Sequence, residues 1–171
     1  MSKMVKEIVI TGPESTGKST LAENLAGYYK DIWVPEYART YLRELGRPYR
    51  KGDLTKIAKG QWSLQKQYLK KAKRFIFYDT SMLIIKVWST YKYGTCTKWI
   101  EEHFKKQKVD LYVLTKTDLP WEYDPLRENP DDRDKLFEIY KEELTKYDKP
   151  FIEVGGLMPE ERMRGVIDAL G

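Results

Sequence analysis

With one cysteine and one histidine in 171 residues, the sequence loses whole classes of chemistry at the outset. Cys96 has no partner in the chain for a disulfide, so a reducing, cytoplasmic setting is expected, with the thiol as a small packed or semi-exposed residue. His103 alone excludes a His-rich metal centre. Its neighbours Glu101, Glu102, Lys105 and Lys106 put it on a polar helix, where a solvated role is expected. No apolar run reaches the roughly 20 residues that span a bilayer, and the first residues carry no signal-peptide core, so no membrane partner is expected. Internal repeats and low-complexity linkers are also missing. The expectation is one domain over residues 1–171, long enough to bury a core.

Charge excludes less than it suggests. The formal net charge is +5, and Lys56, Lys59, Lys66, Lys70, Lys71, Lys73 and Arg74 follow one another with no acid between them. On a helix these spread around the circumference, which describes a solvated surface rather than a groove-tracking stripe. No nucleic-acid partner is expected, and a modest positive field suits polyphosphate ligands. Oligomeric state is left open by composition.

Strand and helix patterns alternate along the chain. Apolar strand runs are expected at 7–11, 32–34, 75–79, 111–114 and 151–154. Helices are expected at 18–29, with Leu21, Leu25 and Tyr28 on one face, at 36–45 before Gly46, and from an Asp53 N-cap to about Lys73. Residues 81–93 are apolar nearly all round and should be a buried helix, in which Trp88 and Tyr91 read as core. Shorter helices follow at 98–107, 133–147 and 159–170. Five strands alternating with helices imply an α/β fold: a three-layer P-loop NTPase architecture with a five-stranded parallel sheet, helices on both faces, and a lid at about 118–133.

Directly after the first strand stands Gly12-Pro13-Glu14-Ser15-Thr16-Gly17-Lys18-Ser19, followed by Thr20. Two glycines let the backbone wrap a phosphate with its N–H groups inward, at the N-terminus of the following helix. Lys18 can then reach the outer phosphates, and the Ser19 hydroxyl can ligate accompanying magnesium. A nucleoside triphosphate site follows, with ATP and Mg2+ as the expected cofactors.

Ligands of such sheets sit beyond the carboxyl ends of the strands. There the second strand delivers Pro35-Glu36-Tyr37-Ala38-Arg39, the third Asp79, the fourth Thr115-Lys116-Thr117-Asp118, and the fifth Gly155-Gly156. Asp79 has the form of an acid that supports the metal opposite Ser19. Glu36 is a candidate general base for an acceptor hydroxyl or a metal-support residue, and Arg39, one turn on, could pair with Glu36 or a phosphate. The segment 118–132 carries Asp118, Glu122, Asp124, Glu128, Asp131 and Asp132 around Arg127, with Arg133 at its edge. Arginines on a loop able to close would cover developing phosphate charge.

Taken in order, the phosphate loop, Pro35-Glu36-Tyr37-Ala38-Arg39, Tyr78-Asp79-Thr80 and the segment from Asp118 to Arg127 with Arg133 resemble the ribosylnicotinamide kinase domain of NadR-type proteins. These belong among P-loop nucleoside and nucleotide kinases, and the resemblance covers almost the whole chain. It implies that Lys18 and Ser19 bind ATP phosphate and magnesium, that Glu36 and Arg39 face the acceptor, that Arg127 and Arg133 belong to the lid, and that Gly155 and Gly156 lie near adenine. The acceptor would be nicotinamide riboside. Pro35 stands where those kinases hold an aromatic that stacks on nicotinamide, and Trp62 or Tyr68 could supply a second ring. The adenylyltransferase and DNA-binding parts of such proteins have no counterpart in these residues. Another nucleoside or nucleoside monophosphate kinase, a regulatory ATPase without an acceptor, and a GTP-dependent switch are the alternatives. The last rests on the guanine-reading look of Thr115-Lys116-Thr117-Asp118.

Overall fold

The β-branched run Ile8-Val9-Ile10 alternates between the two faces of a sheet and can bury all its side chains only at the centre of a covered one. It does so in the computed structural model, which describes residues 4–171. Strand β1 (Lys6–Thr11) sends Val9 into one core and Ile8 and Ile10 into the other. Around it run β2 (Ile32–Val34), β3 (Phe75–Asp79), β4 (Leu111–Thr115) and β5 (Phe151–Val154), in the order β2-β3-β1-β4-β5, every pairing parallel.

Helices α1 (Lys18–Tyr29) and α7 (Pro159–Leu170) cover the face bearing Ile8, Ile10, Phe75, Phe77 and Val113. The other face lies under α2 (Tyr37–Glu44), α3 (Lys51–Leu69), α4 (Met82–Tyr93), α5 (Lys98–Lys106) and α6 (Arg133–Lys146). The fold is therefore the three-layer α/β architecture expected. No helix among the described residues is long and apolar enough to cross a membrane.

Four local expectations are corrected. Tyr28 is 57% exposed, because the stripe Leu21, Leu25 continues at four-residue spacing to Tyr29, whose ring lies 4.5 Å from that of Phe75. Asp53 is not the N-cap of α3; it sits in the first turn, where its carboxylate accepts the Arg50 backbone N–H at 2.7 Å and pairs with Arg47 at 2.9 Å. Helix α3 stops at Leu69 rather than Lys73, since the Asp31 carboxylate collects the backbone N–H groups of Lys73, Arg74 and Phe75 at 2.8–3.0 Å and turns the chain into β3. His103 is half-buried, stacked on Trp99 with ring centroids 3.6 Å apart and edge-on to Trp62 at 4.8 Å. Cys96 is half-buried, and burial pushes its thiol up, away from a reactive thiolate.

The near-complete apolarity of α4 has a two-sided cause. Met82 and Leu83 are buried in the core, Ile85 and Val87 are buried there and also reach a cavity above the sheet, and the half-buried Ile84, Trp88 and Tyr91 line that cavity.

The start of α2, which carries Glu36 to that cavity, rests on α3 at Gly60. A Cβ at Gly60 would fall 2.0 Å from the Tyr37 ring. Alanine would gain roughly 1 kcal/mol of helix propensity, but displacing a packed ring costs about 1–3 kcal/mol. Gly60→Ala is therefore expected to lower the urea midpoint; an unchanged or higher midpoint would show that the Tyr37 ring yields freely.

Candidate functional site

Strand β1 runs out into the phosphate loop, whose shape depends on two glycines. Gly12 has φ +142° and lies so close to β4 that a Cβ would meet Thr115 Oγ1 at 2.5 Å. Gly17, at φ +75°, leads into α1. Ser15 is also left-handed, at φ 57°. Thr16 Oγ1 donates to the Pro13 carbonyl at 2.7 Å and meets Thr115 Oγ1 at 2.6 Å, which ties the loop to the end of β4. No side chain caps α1, so its first backbone N–H groups remain available to an anion. Residues 13–20 all line the cavity; Gly12 supports them without reaching it.

Lys18 curls over this loop, Nζ donating to the Pro13 carbonyl at 2.6 Å. Burial pushes its ammonium below the ordinary value, and the charges of Glu36, Asp79 and Glu14 pull it back up. Parallel pairing sets Ile10 beside Asp79, and Ser19 Oγ donates to Asp79 Oδ2 at 2.5 Å. The other oxygen, Asp79 Oδ1, is buried without a partner. A hydroxyl touching a carboxylate that has a spare lone pair fits a magnesium ion carried in by phosphate. No cluster of three or more His, Cys, Asp or Glu among the described residues could hold a metal by itself. Burial raises the Asp79 carboxyl, while Ser19, Lys18 and Arg39 oppose the shift.

The cavity has a volume of about 600 Å3 and continues from the phosphate loop between α2, α3 and α4. Glu36 stands at its wall, at the N-terminus of α2. Burial, and then the neighbouring Asp79 charge, lift its carboxyl to about 7 against the pull of Lys18 and Arg39. Beyond it the walls are Ala38, Leu42, Ile57, Gln61, Ile84, Trp88 and Tyr91. Trp88 and Tyr91 thus belong to the cavity rather than to the core alone. Trp62, expected as a possible stacking ring, packs instead against Trp99 and His103, and neither Tyr68 nor Pro35 lines the cavity.

The segment expected as a lid lies over the phosphate loop and is held by the loop's own side chains. Glu14 accepts the Glu128 backbone N–H at 2.9 Å and the Asn129 side chain at 3.0 Å, and Ser15 Oγ accepts the Glu122 N–H at 2.9 Å. Arg39 pairs with Asp124 at 2.7 Å rather than with Glu36. Arg127 lines the cavity and donates to the Glu122 carbonyl at 2.5 Å, while Arg133 donates to the Ser15 carbonyl at 3.0 Å and stays outside the lining. Tyr49 ties the far end, bonded to Glu128 and accepting from Lys92 and Trp88.

Arg162 is the cation that sequence reading passed over. Only 3% exposed, it donates to the carbonyls of Thr16 at 2.6 Å, Gly156 at 2.9 Å and Lys116 at 3.2 Å, and pairs with Asp118. Its one signal in sequence is its place four residues before Val166 on the buried stripe of α7. Asp118 also accepts the Gly156 N–H at 2.6 Å. Although burial pushes the Asp118 carboxyl up, these partners hold it below its ordinary value. Both its oxygens are engaged within the protein, so it does not stand free to read guanine. Gly155 sits against Lys116 and Asp118, and the next residue but one, Leu157, lines the cavity mouth.

A family model described as AAA domain matches residues 7–162. The trifunctional NAD biosynthesis/regulator protein NadR of Escherichia coli (strain K12) is 27% identical over 158 residues, covering 88% of this chain and 38% of that protein. Among solved structures, NadR protein in complex with NR superposes with a TM-score of 0.78 at 21% identity, over 98% of this chain and 51% of that one. Thymidylate kinase from Ehrlichia chaffeensis gives 0.69 at 13% identity, over 98% and 99%. The chain thus spans well under half of the curated relative and about half of the solved NadR chain, and these two structural likenesses are likenesses of fold.

A carboxyl lifted towards 7 weakens the folded state once ionised. The folded protein holds the Glu36 proton more tightly than the unfolded chain, so stability declines as pH rises from about 4.5 to about 7. Glu36→Gln is expected to raise the unfolding free energy at pH 8 by up to about 3 kcal/mol, with the gain vanishing below about pH 4.5. Urea titrations at the two pH values measure it; equal midpoints for variant and parent at pH 8 would contradict it.

Proposed function

The chain belongs to the AAA domain family, and from that premise we propose that it is an ATP-dependent kinase acting on a hydroxyl of a nucleoside-like small molecule, with nicotinamide riboside as the acceptor and nicotinamide mononucleotide as the product. The observation that carries the reading is Glu36, a carboxyl lifted to about 7 between the phosphate loop and a pocket of apolar and aromatic side chains. The relation to NadR supports the choice of acceptor. The occupied Asp118 speaks against a guanine-reading switch.

The acceptor lies in the pocket beyond Glu36 with its hydroxyl toward the γ-phosphorus of ATP. The acceptor oxygen forms a bond to that phosphorus, the bond to the bridging β-phosphate oxygen breaks, and the hydroxyl proton passes to Glu36. Lys18 and the free N–H groups of α1 bind the phosphate oxygens, and Arg39 and Arg127 cover them from the lid side. Ser19 and Asp79 would hold the magnesium ion that accompanies ATP, which supplies charge neutralisation at those oxygens. Leu119 and Pro120 on the lid and Leu157 on the turn after β5 frame the other end of the cavity, on the donor side. The lid excludes water that would otherwise take the phosphoryl group.

Measured as ATP consumption, turnover is expected to require an added acceptor, with nicotinamide riboside ahead of ordinary nucleosides and nucleoside monophosphates. A flat response across that panel would favour an ATPase without acceptor. Glu36→Gln should keep ATP binding and lose roughly 10²–10⁴-fold in turnover. The kcat/KM of the parent should climb with pH through about 7 as Glu36 ionises; full activity of Glu36→Gln would remove the base role. Lys18→Ala should abolish most activity.

A further inference from the structure

Three pairs of residues, each one helical turn apart, wall the acceptor end of the cavity: Ala38 and Leu42 on α2, Ile57 and Gln61 on α3, Ile84 and Trp88 on α4. Five of the six present apolar or aromatic surface, and the Trp88 indole N–H is already given to the Tyr49 hydroxyl at 3.0 Å. Gln61 is the exception. It is 1% exposed, its Oε1 accepts the Tyr37 backbone N–H at 2.8 Å, and its Nε2 is buried with no hydrogen-bond partner.

The orientation of this amide follows from its partner. The Tyr37 N–H, in the first turn of α2, can only donate, so the oxygen of Gln61 must face it and the NH2 is left over. Buried donors are ordinarily paired, and no acceptor of the protein lies within hydrogen-bond reach of this one. A ligand that brings an acceptor there gains a hydrogen bond that a ligand without one forgoes. An indole with aliphatic walls suits a flat heteroaromatic ring.

Granted the kinase reading of the same cavity, we propose that Gln61 is a specificity-determining donor of the acceptor pocket, selecting heteroaromatic nucleosides that carry a hydrogen-bond acceptor such as an exocyclic carbonyl oxygen over those that lack one. Helix α2 sets the direction of the donor, so the group that positions Glu36 for chemistry also positions the reading of the base.

Steady-state kinetics with three ribosides test it: nicotinamide riboside, 3-acetylpyridine riboside, which keeps the carbonyl without the amide N–H, and pyridine riboside, which has neither. The parent protein should favour the two carbonyl compounds by about 10- to 100-fold in kcat/KM. Gln61→Glu keeps an oxygen for Tyr37 and replaces the donor with an acceptor; Gln61→Leu removes both. In each variant the preference for 3-acetylpyridine riboside over pyridine riboside should collapse, with the KM for ATP unchanged. Equal losses on all three ribosides in both variants would show that Gln61 serves only the start of α2, and would overturn the inference. So would a parent protein that takes all three equally well. No turnover of any of the three would overturn the choice of acceptor itself, a result distinct from loss of selectivity.

Discussion

In a parallel sheet every strand delivers its carboxyl end to the same edge, and the pairing of Ile10 with Asp79 decides what meets there. Because β1 and β3 are neighbours, the residue after the phosphate loop lysine and the acid ending β3 come within 2.5 Å of each other. Slipping that register by one residue would turn Asp79 to the opposite face and bring the core side chains of β3 with it. The two cores therefore hold the site in place: Ile8 and Ile10 against α1 and α7, Val9 against the helices that line the cavity.

Around that contact the electrostatics are deliberately unbalanced. Lys18 faces Glu36, Asp79 and Glu14; burial lifts the carboxyls of Glu36 and Asp79, and the Lys18 charge opposes that lift. Such a cluster is poorly satisfied alone and gains from an incoming cation. Glu14 spends its carboxylate differently, on a backbone N–H and an amide of the lid. One loop thereby leaves the backbone donors at the start of α1 uncapped while its side chains hold the segment that covers it. Arg162 completes the link from the opposite side, since its guanidinium joins the phosphate loop, the end of β4 and the turn after β5.

Much of this was legible beforehand, for identifiable reasons. The phosphate loop could be read because wrapping a phosphate demands glycine at fixed positions, and Gly12 and Gly17 do have the left-handed or close-approach geometry that excludes a side chain. The strands were readable as short apolar runs, and Asp79 as the polar residue ending one. Local propensity does not place Tyr28, Asp53 or the end of α3, because it cannot see a competing partner: the four-residue stripe to Tyr29, the Arg50 N–H, and the Asp31 carboxylate more than forty residues away. Trp88 and Tyr91 read as core in the sequence because a helix that faces a core on one side and a cavity on the other has the same apolarity as one buried all round.

By itself, then, the sequence determined the order of elements, the parallel sheet and the identity of the phosphate loop, all of which depend on residues near one another in the chain. Only the tertiary structure decided that Arg39 pairs with Asp124 in the segment over the phosphate loop, that Asp118 is consumed by Gly156 and Arg162, and that Gln61, in the cavity wall, is left with an unpaired donor. Each is a question of which partner a polar group finds when water is excluded. The answer rests on groups brought together from distant parts of the chain, whose contacts no local pattern encodes.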